Sequence, residues 1–190
     1  MSFSGSGPGR SRSAKAFLDE PALHEYGLRL LARQMRTVSQ LRQKLRTRAE
    51  PDETGTARVE AVIARLSEYG LVDDTAFADN YVQLRQQNQK HGARRVRQDL
   101  AIKGVAQEIA AEVIEARYAE VSEEALAREH LERKRIRKPE NEKETARVMR
   151  RLVTAGFSVG VIYKILRQWE VSEEALEALA EADEEPLTEE

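Results

Sequence analysis

The sequence predicts an all-α fold, an elongated tandem array of three three-helix repeats with about nine helices, and three observations predict it. Helix formers (Ala, Leu, Glu, Arg, Gln) dominate, while β-branched and aromatic clusters are scarce. The five prolines all fall outside the apolar-periodic segments: Pro8, Pro21, Pro51, Pro139 and Pro186. Proline inside a helix costs about 3 kcal/mol, so this placement outlines the helices from outside. The third observation is an internal repeat. The run VRQDLAIKGVAQEIAAEVI (96–114) aligns without gaps on VMRRLVTAGFSVGVIYKIL (148–166), and LRQKL (41–45) echoes the first part of both.

The elements follow in order. Leu23, Gly27, Leu30 and Leu31 form one apolar stripe, and Val38, Leu41 and Leu45 a second. Val59, Val62, Ile63 and Leu66 recur at i, i+3, i+4 and i+7, the spacing of one helix face. Tyr69-Gly70 ends that helix, since glycine suits the left-handed position beyond a C-terminus. Phe77, Tyr81 and Leu84 make the next stripe, closed by Gly92. Helices are expected near 22–34, 37–47, 56–69, 74–89, 93–103, 106–118, 122–137, 141–155 and 158–169. The aligned repeats each carry L-x-x-x-G, a turn at Gly104 or Gly156, and a further amphipathic helix. Ser158 is a good cap for the helix after its turn, and Ala106 a poor one. Repeats of this length imply an array with one long usable face. The expected organisation is a disordered leader (1–21), three-helix repeats at 22–72, 73–119 and 120–170, and an acidic tail (171–190).

Charge and chemistry narrow the function. The formal charge is −2, but residues 171–190 carry nine carboxylates and no Lys or Arg; taking those away leaves +7 on the rest. A basic body with an acidic tail suits a polyanionic or acidic partner, with the tail as moderator or simple solubiliser. The absence of cysteine excludes disulfides and thiolate metal sites and suits a reducing compartment, here the cytoplasm. No segment approaches the ~20 apolar residues that span a bilayer, and no membrane association is expected. His24, His91 and His130 lack a second ligand at metal spacing, and there is no phosphate-binding glycine loop or nucleophile elbow. The reading is therefore a binding protein and not an enzyme, monomeric, with no cofactor and no metal. Asp73-Asp74 reads as the cap of the helix it precedes. Phe77, Tyr81, Phe157 and Trp169 read as core anchors because they fall on apolar stripes.

A spread of residues resembles the RecX regulators of the bacterial recombinase RecA. It starts with Leu28-x-x-Leu31-x-Arg33 and Leu41-x-x-x-Leu45. Its most specific part is Leu66-x-x-x-Gly70-Leu71-x-Asp73-Asp74-x-x-Phe77-Ala78-x-x-Tyr81-Val82-x-x-Arg85. Gly92, Val96, Leu100, Lys103-Gly104-Val105, Ile109 and Gly156-Phe157-Ser158 complete it. The chain departs from the family pattern in a longer 47–56 loop and at Ala155, where an arginine is frequent. The resemblance implies tandem three-helix repeats without catalytic chemistry. It also implies binding to the RecA nucleoprotein filament along its helical groove, and modulation, most often inhibition, of its recombinase, ATPase and coprotease activities in DNA repair and recombination.

The residues expected to make that contact are basic. Arg94 and Arg97 share a helix face pointing away from Val96 and Leu100, with Arg85, Lys90, Arg95 and Lys103 around them. Arg147, Arg150 and Arg151 occupy the corresponding helix of the next repeat, and stacking would align the two groups into one strip. The same groups also suit an ordinary solvated helix face, or nonspecific contact with DNA by a helical module. Sequence-specific DNA reading is disfavoured: the helix after the Gly104 turn presents Glu108, Glu112 and Glu115, which phosphates repel.

Overall fold

The computed structural model describes residues 17–171, so most of the leader and all but the first residue of the tail lie outside the described residues. Among the described residues there are nine α-helices and one π-helical turn. They are α1 (Glu20–Leu31), α2 (Val38–Arg46), α3 (Glu53–Glu68), α4 (Asp74–Leu84), α5 (Ala93–Ile102), α6 (Gln107–Tyr118), α7 (Glu123–Arg133), α8 (Glu142–Thr154) and α9 (Val159–Gln168), with the π turn at Arg85–Gln89. Residues 17–35 and 40–72 form one compact unit; residues 36–39 and 73–171 form another. The second and third three-helix sets therefore belong to a single unit.

In the first unit Leu23, Leu41, Leu45, Val59, Val62 and Leu66 are fully buried. α1 starts earlier than its stripe suggests, because Asp19 accepts a hydrogen bond from Ala22 N at 3.0 Å and Pro21 falls in the first turn. A side chain at Gly27 would press on Leu66 Cδ1 at 3.0 Å, so the glycine within the first stripe lets α1 lie close on α3. Arg42 of α2 donates to both carboxylate oxygens of Glu60 on α3, at 2.7 and 2.9 Å.

In the second unit, Ala78, Val82, Val96, Leu100, Val105, Ala110, Val113 and Ile114 form one apolar cluster. A second joins Leu126, Leu131, Met149, Leu152, Phe157, Ile162 and Ile165, among others. Phe157 has no exposed surface, which contributes about 1.5–3 kcal/mol. Phe77, Tyr81 and Trp169 are half-buried against these clusters. Tyr118 packs on both clusters, and its hydroxyl donates to His91 O at 2.7 Å, so burial pushes its phenol up to about 12.

One capping turn recurs five times, after α3, α5, α7, α8 and α9. In each, an apolar residue donates its N–H to the carbonyl of a leucine five positions earlier: Leu71 to Leu66, Val105 to Leu100, Ile136 to Leu131, Phe157 to Leu152, and Val171 to Leu166. The residue before the donor is left-handed in every case. It is glycine at Gly70, Gly104 and Gly156, with φ of 66°, 78° and 92°. At Arg135 and Glu170 it is a side-chain-bearing residue, with φ of 53° and 56°.

Several local expectations change. Helix α7 stops at Arg133 and not near 137, since Arg135 takes the left-handed turn without a glycine to announce it. Asp73 alone caps α4, accepting from Thr75 N at 2.8 Å and Ala76 N at 3.0 Å. Asp74 accepts instead from Val38 N at 2.8 Å, the first residue of α2. Ser158 does not cap α9 with its hydroxyl; its Oγ and N each donate to Glu123, both at 2.7 Å. Gly92 does not itself close the preceding helix, which ends at Lys90 in a left-handed conformation, φ 53°.

Candidate partner-binding surface

The second and third helix sets meet where backbone touches backbone. Gly92 N donates to Ala155 O at 2.9 Å. A side chain at Gly92 would overlap the Gly156 carbonyl oxygen, and one at Gly156 would sit 2.6 Å from Arg95 Cβ and 2.9 Å from its Cα. Two glycines therefore set how close α5 and the turn after α8 can come.

Two imidazoles lie at the same junction. The His130 ring is 6.0 Å from His91 and 5.7 Å, edge-on, from Phe157. His130 Nδ1 is 3.1 Å from Gln89 O, and because a carbonyl only accepts, that nitrogen carries the proton. Burial holds His130 below its ordinary value; burial, then His130 and Arg85, brings His91 to about 4. His91 Nδ1 is buried and has no hydrogen-bond partner among the described residues.

The nine basic residues expected to form a strip divide into three groups. Arg85, Lys103 and Lys90 are engaged within the fold: Arg85 lies 4.7 Å from the centre of the Tyr81 ring and Lys103 5.0 Å from it, while Lys90 pairs with Glu129 at 2.6 Å. Asp99 anchors this corner, accepting from Tyr81 Oη at 3.0 Å and pairing with Arg95 at 3.1 Å. Arg94 and Arg97 are exposed on α5 and form no ion pair among the described residues. Arg95, Arg147, Arg150 and Arg151 line one concavity of about 600 Å³, with His91, His130 and Ala155 in its wall. From α5 it is thus Arg95, and neither Arg94 nor Arg97, that the structure brings beside the α8 arginines.

Relatives can be set against this geometry. Residues 24–66 match the RecX first three-helix domain, and residues 73–114 match the RecX second three-helix domain. The regulatory protein RecX of Thermobifida fusca is 35% identical over 144 residues, 74% of this chain and 75% of the relative. The regulatory protein RecX of a Thermus thermophilus strain is 36% identical over 150 residues, 78% of this chain and 91% of the relative. The chain belongs to the RecX family.

A crystal structure of a regulatory protein RecX superposes with a TM-score of 0.66 at 27% identity, over 78% of this chain and 71% of that one. RecX from Lactobacillus salivarius, 22% identical, shares the fold with a TM-score of 0.63, over 80% and 97%. The segment of this chain most specific to the RecX resemblance has structural work to do here. Gly70-Leu71 is a left-handed capping turn, Asp73 and Asp74 cap two different helices, and Phe77 and Tyr81 stack at 6.1 Å. Lys134 also lines the concavity and escaped the sequence reading, as did Arg135 and Arg137 beside it. The signal for them is the run RKRIRK at 133–138, which the helix expected over 122–137 hides.

Proposed function

We propose that this RecX-family chain binds the RecA filament, in its helical groove, and restrains its recombinase, ATPase and coprotease activities. It does so as a non-enzymatic, monomeric, cytoplasmic regulator. The observation that carries this reading is the set of arginines on α5 and α8 with no ion-pair partner among the described residues: Arg94, Arg97, Arg147, Arg150 and Arg151. They occupy matched helices of two successive repeats and face a partner rather than the core. The engaged residues Arg85, Lys90, Arg95 and Lys103 contribute field more than contact, since their charges are already shared with neighbours. Among the described residues no helix is long and apolar enough to cross a membrane.

Co-sedimentation with RecA filaments on single-stranded DNA across a salt series tests the proposal. Arg94→Glu, Arg97→Glu, Arg147→Glu and Arg150→Glu together should weaken binding by at least about tenfold at low salt and less at high salt, with helicity unchanged. A folded quadruple variant that binds and restrains the filament like the parent sinks the assignment of the surface. A parent that ignores RecA sinks the function. The competing reading, nonspecific DNA binding, has the same basic residues in its favour. It predicts equal affinity for bare DNA and for the filament.

A further inference from the structure

The concavity between α5, the end of α7 and α8 has the features of a ligand site and not only of a docking face. Five cationic side chains line it, Arg95, Lys134, Arg147, Arg150 and Arg151, and among the described residues no carboxylate does. Only Arg95 has a carboxylate in reach, Asp99 at 3.1 Å; Lys134, Arg147, Arg150 and Arg151 form no ion pair among the described residues. Like charges gathered around one hollow repel, and an anion seated there relieves that repulsion. Arginine forks match phosphate oxygens in pairs, which a carboxylate-free hollow leaves available.

The rest of the wall differs from a plain anion trap. Ile136 supplies apolar surface and the half-buried His91 ring, which burial keeps uncharged at neutral pH, a flat face, with Ala155 and His130 nearly fully buried behind them. A volume of about 600 Å³ lies within the range of small-ligand pockets. A neighbouring hollow of about 370 Å³ shares Ile136, Arg147 and Arg151 and adds Arg135, Arg137 and Lys138. Its wall also carries Glu140 and Glu144, which confine an anion to the Arg147–Arg151 end.

We propose that this cavity binds a nucleotide unit, its phosphates held by Arg147, Arg150 and Arg151 and its planar base against Ile136 and the His91 ring. Two sources share that chemistry, a free nucleoside diphosphate and one nucleotide of a single strand. The proposal does not depend on RecA, and RecA is left out of its test.

Full-length protein is titrated into fluorescently labelled ADP, with unlabelled ADP, pyrophosphate and a short oligothymidylate as competitors. Saturable binding is expected. Arg147→Ala and Arg151→Ala should each weaken it about tenfold, the effect of losing one charge-assisted hydrogen bond. Thr154→Phe, which fills the hollow without changing its charge, should weaken it similarly. Arg94→Ala with Arg97→Ala, on the same protein but outside the hollow, should leave it intact. Displacement by the oligonucleotide at lower phosphate concentration than by ADP identifies the strand as the source; the reverse order identifies the free nucleotide. Thermal midpoints show that each variant is folded. No saturable binding of ADP or oligonucleotide by the parent overturns the proposal. So does a loss as large in the Arg94/Arg97 variant as in the Arg147 and Arg151 variants, because diffuse charge would then be enough.

Discussion

The turns that follow α5 and α8 are locally the same object. In the first, Val105 N donates to Leu100 O at 3.1 Å and Gly104 N to Ala101 O at 2.9 Å; in the second, Phe157 N donates to Leu152 O at 3.1 Å and Gly156 N to Val153 O at 2.9 Å. Their surroundings differ. A side chain at Gly104 would strike the Cβ and Oγ of Ser39, a small, half-buried residue. One at Gly156 would strike the backbone and Cβ of Arg95, in a helix that cannot yield without moving the whole junction. The comparison separates two demands on one glycine: the local left-handed conformation, shared by both turns, and a close approach that only the second imposes in full.

The largest expected effect follows from that difference. Gly156→Val combines left-handed strain with overlap on backbone and should cost at least about 3 kcal/mol, lowering the thermal midpoint by roughly 6–12 °C. Gly104→Val should cost less, and Ser39→Gly in the same chain should recover part of the loss. Equal midpoints for the two variants would show that local strain alone governs both turns. Gly92→Ala is a purely steric counterpart: φ there is −71°, so no strain arises, yet the new Cβ would overlap the Gly156 carbonyl. A loss of about 1–3 kcal/mol is expected, and an unchanged midpoint would mean that the junction opens freely.

The same junction should make stability depend on pH. Both imidazoles are held below their ordinary value of 6.5: His91 to about 4, by burial and then by His130, Arg85 and Arg95 with Asp99 opposing, and His130 by burial and Lys134 with the Gln89 carbonyl opposing. Between the two values the unfolded chain binds more protons than the native one, so stability rises with pH. It is complete above about pH 6.5 and falls as the pH drops toward 4. Denaturant midpoints measured over that window should slope less in His91→Gln than in the parent, and identical slopes would refute the assignment.

The smallest effect concerns the turns without glycine. Arg135 occupies the left-handed position that glycine fills at 104 and 156. Arg135→Gly should stabilise by no more than about 1 kcal/mol, since the relief of steric strain is offset by greater freedom in the unfolded chain. A loss of stability would show that the Arg135 side chain contributes contacts of its own.

The sequence by itself determined most of the helices and stripes and the turns at Gly70, Gly104 and Gly156, because these depend on spacing along one chain and on the unique φ range of glycine; on α4 the stripe differs, with Ala78 and Val82 buried and Leu84 exposed. It also determined which arginines escape the core, since Arg94 and Arg97 oppose Val96 and Leu100 on the same helix. It did not announce the turns at Arg135 and Glu170, where capping hydrogen bonds and the burial of Ile136 and Val171 outweigh an unfavourable φ. Only tertiary structure decided that Asp74 caps α2, that Ser158 bonds Glu123, and that Arg95 joins Arg147, Arg150 and Arg151 around one hollow. Each of these is a meeting between residues 35 or more positions apart. Helical periodicity says which face a residue occupies but not which neighbour that face will meet.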